Sequence, residues 1–451
     1  MAREDCGEVD DEEFEIEGVP PKMSRRSTTA TATTSNTEPA LHGRAKKNQQ
    51  KRQRERAKRA AGVVESLSSI TPPAPTPRAL EKAATSVPLP VNYSATEFRT
   101  TQQRWTGLTT PHPHPLLAHA NDPEYLKQHM QYFDWPGDKC HVIVDRKGHN
   151  WAETAEAAAA AFRRARDQMT FPAGAFQHRC ASGEGFPTAA AGFAFGTGRK
   201  GVGNIRASSA TNANAMDELL AEPSVGRMAT YPIPVMQATC YPIFAEYHHV
   251  KQALLNQHPH LRRTFPRSPF AAVTANLGPA SVSPPHLDGN NKADGMCLIG
   301  ALGSFNPDLG GHLVLWDYNL IVRFPPGCSC LIPSAVVTHS NTPIGPGEDR
   351  FSLIQYSAGS LFRWANNGFQ SDLDWYASAT AEDLVQREEE RKVRCATALR
   401  SFALWKDLKV RNFTGRARVE VWDEGDIADF SDLTEDESEV ELPPRKRTKR
   451  S

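Results

Sequence analysis

Residues 285–356 read PHLDGNNKADGMCLIGALGSFNPDLGGHLVLWDYNLIVRFPPGCSCLIPSAVVTHSNTPIGPGEDRFSLIQY, and the fold is decided inside them. Short apolar runs alternate there with strong turn signals. Met296–Leu302, His312–Trp316, Leu320–Phe324, Cys328–Ile332 and Phe351–Tyr356 each read as a short strand, as does Ala271–Leu277 just before the stretch. Asn306-Pro307-Asp308-Leu309-Gly310-Gly311, Pro325-Pro326-Gly327 and Pro343-Ile344-Gly345-Pro346-Gly347 separate them, with the residues that supply the φ values of tight turns. Strands at this spacing predict a sandwich or jelly roll, that is, a double-stranded β-helix.

Outward from this core the period changes. Ala152–Met169 is alanine-rich, with Arg163, Arg164 and Arg166 late in the run, and predicts a helix whose cations sit at the favourable end of its dipole. Asn212–Leu220 and Pro242–His258 predict two more helices, and Ala381–Trp405, mixing charged and apolar residues, a fourth. Tyr132–Pro136 leads into Lys139–Asp145, which reads as a strand closed by the turn chemistry of Asp145-Arg146-Lys147-Gly148. The stretch 183–204 is glycine-rich, and its part from Gly196 to Asn204 reads as a flexible loop over a cleft. That part lacks the Gly-Lys-Ser/Thr ending of a phosphate-cradling loop, although Arg199 and Lys200 remain candidates for phosphate contact. His112, His114, His248 and His249 read as loop or packing residues.

The expected class is therefore α+β: a jelly-roll core with flanking helices and disordered charged tails. The expected division is a tail with a basic arm (1–88), a supporting α/β region (89–182), the core (183–370), a helical region (371–420) and a second tail (421–451). The 52 basic and 52 acidic residues cancel, yet they are blocked. Glu4–Glu17 and Asp423–Glu441 are acidic, whereas Arg44–Arg59 and Arg445–Arg450 are basic, and such runs are solvated and suit interaction tails. The basic blocks suit nuclear import or nucleic-acid contact. No apolar run is long enough to span a bilayer, and the eight cysteines are scattered without metal spacing. A soluble protein of a reducing compartment is expected, with Cys328 and Cys330 as buried free thiols.

Within the core, His286 and Asp288 are separated by one residue. On a strand they would share a face with Cα atoms about 6–7 Å apart, close enough to bind one ion. A third ligand must come from a distant strand, and His339 follows an apolar run that would deliver it. Two imidazoles and a carboxylate leave one side of a redox metal open, the facial arrangement of non-heme Fe(II) oxygenases. Arg350, eleven residues past His339, can clamp the carboxylate of an acidic cosubstrate. With fifteen histidines in the chain, one His-x-Asp is expected by chance. The conjunction with the Gly-Gly turn, the Pro-Pro-Gly turn, the later histidine and the arginine is what carries weight.

Asn276-Leu277-Gly278-Pro279, HLDGNN (286–291), GALGSFNPDLGGHLVLWD (300–317), FPPG (324–327), LIPSAVVTHSN (331–341) and RFSLIQYSAGSLFRW (350–364) resemble the Fe(II)/2-oxoglutarate-dependent dioxygenases. More narrowly they resemble the TET/JBP-like group expanded in mushroom-type fungi. The resemblance spans about 183–364. It implies that His286, Asp288 and His339 bind Fe(II), that Arg350 pairs with the distal carboxylate of 2-oxoglutarate, and that O2 is the oxidant. In such relatives the oxidised carbon is the methyl of 5-methylcytosine or thymine, so the partner implied is nucleic acid, DNA before RNA, and the location nuclear, with a cytoplasmic pool possible in principle.

On the substrate side, Asn290 and Asn291 lie just past the carboxylate, where an amide can read a base edge or simply make the turn. Tyr356 ends the last strand of the core. Arg199, Lys200, Arg206, Arg262, Arg263 and Arg267 are candidates to hold phosphates. Two departures bear on the substrate: the strand past Arg350 continues Ile354-Gln355-Tyr356-Ser357-Ala358 without the histidine of animal TET-type enzymes, and their cysteine clusters are missing. Two other expectations stand beside this one: a dioxygenase of protein or small-molecule substrates, and a non-catalytic nucleic-acid-binding protein of mobile-element origin.

Overall fold

The computed structural model describes residues 69–84, 100–133, 151–172, 185–196 and 198–399, with single residues between 47 and 58. Residues 49–451 form one unit, to which every element named below belongs. The strand expected at Lys139–Asp145, most of the basic arm and both acidic runs lie outside the described residues.

In chain order the strands are β1 (Gln131–Phe133), β2 (Thr188–Ala194), β3 (Gly203–Asn204), β4 (Ala272–Asn276), β5 (Cys297–Ser304), β6 (Leu313–Leu315), β7 (Leu320–Val322), β8 (Ser329–Ile332), β9 (His339–Asn341) and β10 (Asp349–Tyr356). The helices are α1 (Pro77–Ala84), α2 (Pro123–His129), α3 (Trp151–Gln168), α4 (Ala210–Ala221), α5 (Pro223–Thr230), α6 (Ile233–Thr239), α7 (Tyr241–Gln257), α8 (Gly359–Asn366), α9 (Asp372–Ser378) and α10 (Ala381–Leu399). The strands form a six-stranded sheet, β3-β2-β4-β10-β5-β8, and a four-stranded sheet, β1-β7-β6-β9. The class is mixed α+β with two sheets.

Strand alternation sorts the apolar side chains into layers. On β5, Cys297, Ile299 and Ala301 join Leu313 and Leu315 of β6 and Leu320 of β7 in one buried layer shared by both sheets. Val314 and Ile321 point the other way and pack with Leu126 and Met130. On β10, Phe351 and Leu353 face the helices, so Arg350, Ser352, Ile354 and Tyr356 share the opposite face. Helix α3 reaches the large sheet closely because its buried side is mostly alanine: Ala155, Ala158, Ala159, Ala161 and Ala165 flank Phe162, whose ring centre lies 5.8 Å from that of Phe351. Burying Phe162 fully contributes roughly 1.5–3 kcal/mol.

Several sequence expectations need correction. Residues 188–194, within the glycine-rich stretch where no strand was expected, form β2, paired antiparallel with β4 from Thr188↔Asn276 to Gly192↔Ala272. TAAAGFA has a single β-branched residue, Thr188, where strands usually carry several, and at Gly192 there is no space for a side chain: a Cβ there would lie 2.2 Å from the Ala271 carbonyl oxygen. Helices α5 and α6 lie between the two expected helices, where none was expected; each has a proline in its first turn, a position that suits the start of a helix. The proline-rich stretch before residue 88 runs into α1, where Ala79 and Ala83 pack against Ala238. His286–Asp288 is an extended segment, with a single bridge at His286↔His339 and no strand of its own.

Candidate metal centre

The segment Ser281–Asp288 runs between the sheets, held by backbone on both sides. Ser281 N donates to Arg350 O at 3.1 Å, and Asn341 N donates to Ser283 O at 3.2 Å. His286 and His339 exchange both backbone bonds, each 3.0 Å, and Asp288 N donates to Ser334 O at 2.9 Å. Residues 46 to 69 positions apart are thus brought together before any side chain is considered.

His286, Asp288 and His339 form a cluster whose ligand atoms all lie within 4.8 Å of one another. His286 Nε2 is 3.7 Å from Asp288 Oδ1, and His339 Nε2 is 3.8 Å from Oδ2 of the same carboxylate. Each ring is fixed from behind: His286 Nδ1 meets the Pro284 carbonyl at 2.7 Å, and His339 Nδ1 meets the Val337 carbonyl at 2.9 Å. A carbonyl only accepts, so both Nδ1 atoms carry the proton and both Nε2 lone pairs face the carboxylate. Two neutral imidazoles and one carboxylate fit a divalent first-row ion, whose ligands at about 2.1 Å lie within ~4.2 Å of each other. Leu287 is buried, as the alternation required.

Arg350 is 3 % exposed. Its Nη1 donates to Ser281 O at 2.8 Å, and its Nε, fully buried, has no hydrogen-bond partner. Burial pulls its pKa down to about 10. A guanidinium held in the interior without a carboxylate, and with a donor unfilled, fits an acidic ligand such as the distal carboxylate of 2-oxoglutarate. Asn341, two residues beyond His339, supports the same segment: its Nδ2 donates to Ser281 O at 3.0 Å and its Oδ1 accepts from Ser283 N at 2.9 Å.

Asp288 lines a cavity of about 410 Å³ together with Thr109, Phe186, Thr188, Thr274, Asn276, Ser283, Leu287, Gly289, Asn290, Asn291, Ile354 and Tyr356. Of the substrate candidates, Asn290, Asn291 and Tyr356 meet here. Asn290 is exposed, with its amide uncommitted, whereas Asn291 Nδ2 donates to Ser334 Oγ at 3.2 Å and makes the turn. Thr274 Oγ1 donates to Tyr356 Oη at 3.3 Å. Arg199 and Lys200 do not line this cavity. They follow the far end of β2 from Thr188, six residues or roughly 20 Å along the strand. Arg199 Nη1 is bonded to the Gly203 and Asn204 carbonyls at 3.0 and 3.1 Å. Among the described residues the lining contains no lysine or arginine, and Asp288 is its one charged group.

A strap at residues 100–112 closes one side of the cavity, and sequence reasoning missed it. Ala293 N donates to Trp105 O at 3.1 Å, Thr106 bridges Lys292, and His112 N donates to Thr338 Oγ1 at 3.1 Å. It passes close to Ala335, four residues before His339, and to Gly289, the residue after Asp288. A Cβ on Gly107 would lie 1.8 Å from Ala335 O, and one on Gly289 would lie 2.8 Å from Leu108 O. Helix α10 pins the strap from outside: Arg391 and Arg394 donate to the Gln102 and Gln103 carbonyls, and Arg394 lies 4.0 Å from the Trp105 ring centre. Beneath the Asp288–Asn291 turn, Lys292 is 2 % exposed and meets Asp294 at 2.5 Å and Glu246 at 3.0 Å. Burial opposes its charge, but the two carboxylates outweigh burial and raise its pKa. The Gly-Gly and Pro-Pro-Gly signals were legible; the strap's glycine, lone among polar residues, was the faint sign of a close approach.

No family model and no curated protein matches this chain. Among solved structures, NgTET1 in complex with 5mC DNA aligns at 13% sequence identity, over 55% of this chain and 92% of that one, with a TM-score of 0.32. A likeness of that size carries no weight for fold or function, so the case rests on the side chains.

Proposed function

We propose that the protein is an Fe(II)/2-oxoglutarate-dependent dioxygenase that oxidises the methyl group of a methylated base, of the 5-methylcytosine kind, in nucleic acid. The observation that carries it is the pairing of a His-Asp-His cluster, its Nε2 lone pairs set by backbone carbonyls, with a buried arginine of β10 that is bonded to the segment leading into His286 and has no carboxylate partner among the described residues. On this proposal the two sheets are the two faces of a jelly roll. The basic blocks 44–59 and 445–450 direct the chain to the nucleus.

When bound, iron, 2-oxoglutarate and O2 supply the oxidation: one oxygen atom enters the C–H bond as hydroxyl, the other enters succinate, and CO2 leaves. The chain's own residues bind and orient. Arg350 holds the cosubstrate carboxylate through its unfilled donor. Phe186, Leu287 and Ile354 give the cavity an apolar wall that limits water, and its volume suits one extruded base. Extrusion costs a few kcal/mol, returned by contacts to the base edge. Asn290 offers an amide donor and acceptor for that edge, and Tyr356, braced by Thr274, a ring and a hydroxyl.

The cation-free lining favours an uncharged group at the reacting centre. A base meets that condition, and so does a neutral side chain or small molecule, which is the second reading. Purified protein incubated with Fe(II), 2-oxoglutarate and a panel of methylated DNA and RNA oligonucleotides is expected to give hydroxymethylated base and succinate in equal amounts by mass spectrometry. Succinate without base product across the panel removes the nucleic-acid reading in favour of the second.

A further inference from the structure

Two loops at the far end of β2 are locked to each other by one side chain. Asn204 Nδ2 donates to the His260 carbonyl at 2.9 Å, and Asn204 Oδ1 accepts from Arg262 N at 2.7 Å. This reciprocal amide clamp gathers Arg199 and Lys200 before β3, Arg206 after it, and Arg262 and Arg263 on the turn that follows α7. Arg199 is fixed by its two carbonyl bonds, and Arg262 is paired with Asp217. Lys200, Arg206 and Arg263 are exposed and, among the described residues, have neither a side-chain hydrogen bond nor an ion pair. Five cations with one paired carboxylate repel one another. A folded loop pair that keeps them together gains nothing from their charge unless a polyanion neutralises it.

We infer that this patch binds the phosphodiester backbone of the nucleic acid at a distance from the reacting base. The inference rests on the proposed function, and it explains a gap there: the cavity has no cation of its own to hold phosphates. The separation along β2, roughly 20 Å, corresponds to about six base pairs at 3.4 Å each. The cavity therefore handles one base while the patch grips the strand about half a helical turn away, which sets a minimum substrate length. The uncommitted side chains act as sequence-independent phosphate contacts, each releasing counterions on binding.

The test compares wild type with the triple variant Lys200→Gln/Arg206→Gln/Arg263→Gln. All three side chains are exposed, and an unchanged thermal midpoint verifies the fold. Binding is read by fluorescence anisotropy between 50 and 200 mM salt, on a hairpin with a 6-base-pair stem and on a 24-base-pair duplex, each with a central methylated base, and on single-stranded DNA and RNA of the longer sequence. For the 24-base-pair duplex the variant is expected to lose about tenfold in affinity, and its log–log salt slope to flatten by about 2.7, three contacts at roughly 0.9 each. On the short stem the loss is expected to stay within about twofold. Equal affinity and salt slope for variant and wild type on every long substrate would overturn the inference while leaving the proposed function in place. Equal losses on stem and duplex would overturn the remote placement. Wild type that binds none of these nucleic acids overturns both.

Discussion

Arg350 and Ser281 are joined by two hydrogen bonds: Ser281 N donates to the Arg350 carbonyl at 3.1 Å, and Arg350 Nη1 donates at 2.8 Å to the Ser281 carbonyl, in the segment that leads directly into His286. The second bond ties the buried cation to the metal-ligand segment, and it leaves Nε unfilled.

A buried charge without a counter-charge weakens the ligand-free protein, so its removal has a signed consequence. Arg350→Met is expected to melt at or above the wild-type temperature without ligand, and to show no stabilisation by 2-oxoglutarate. Wild type gains about 2.7 kcal/mol at a ligand concentration 100 times Kd. Arg350→Lys keeps a point charge but not the fork, and is expected to bind 2-oxoglutarate roughly 10–100 times more weakly. Differential scanning fluorimetry with Mn(II) in place of iron reads both. A thermal shift retained by Arg350→Met would exclude the arginine from the cosubstrate site.

The metal proposal has its own readout. Asp288→Ala removes the ligand both imidazoles face, and bound Fe(II) or Co(II) is expected to fall below about one-tenth of an equivalent by elemental analysis. The histidine rings are held by carbonyls and the segment by backbone pairs, so chelation is expected to empty the site without unfolding the chain. Far-UV circular dichroism that collapses on chelator addition contradicts a preformed site.

His312 supplies a pH dependence. Its ring is fully buried, Nδ1 sits 3.0 Å from Thr342 Oγ1, and Nε2 has no partner. Burial, with Lys127 nearby, lowers its pKa to about 4. Between pH 6.5 and about 4 the unfolded chain binds a proton that the folded one refuses. Stability is therefore complete above pH 6.5 and declines as pH falls through that window, by on the order of 3 kcal/mol at about 1.4 kcal/mol per pH unit. Urea melts of His312→Asn should lack this component; parallel slopes in variant and wild type between pH 7 and 4.5 would assign the acid sensitivity elsewhere.

At Gly107 the strap tolerates no side chain. Gly107→Ala is expected to cost roughly 1–3 kcal/mol, because the colliding atom is backbone and must move. Arg394→Ala loosens the same strap from outside by about 1 kcal/mol, losing ring stacking and a carbonyl bond. Hydrogen exchange of Trp105–Leu108 amides is expected to speed up in both variants. Unchanged protection in Arg394→Ala would show that α10 does not hold the strap.

Much of the core was legible because its strands carry β-branched and aromatic residues between proline and glycine turns. Phe351–Tyr356 and Cys328–Ile332 were found to within two residues of β10 and β8. The triad was legible through spacing and its apolar approach, Ala335–Val337. What escaped notice did so for local physical reasons. Strand β2 is built largely from alanine, with α4 packed against it, so it carries little strand composition. His339–Asn341 is three polar residues in a strand, buried only because its side chains serve the site and its neighbouring segment. Arg199 was paired with the site on charge alone, and charge carries no address along a strand.

The strap and its clamp also order events in time. Arg391 donates to the Gln102 carbonyl across 289 residues of chain. At 5–20 residues per second, roughly 15–60 s of synthesis separate the two. The triad's outer members, His286 and His339, are 53 residues apart, about 3–11 s at the same rate. All three residues of the candidate metal centre are therefore synthesised 52 or more residues before Arg391, the cation of α10 that fastens the wall on one side of the cavity.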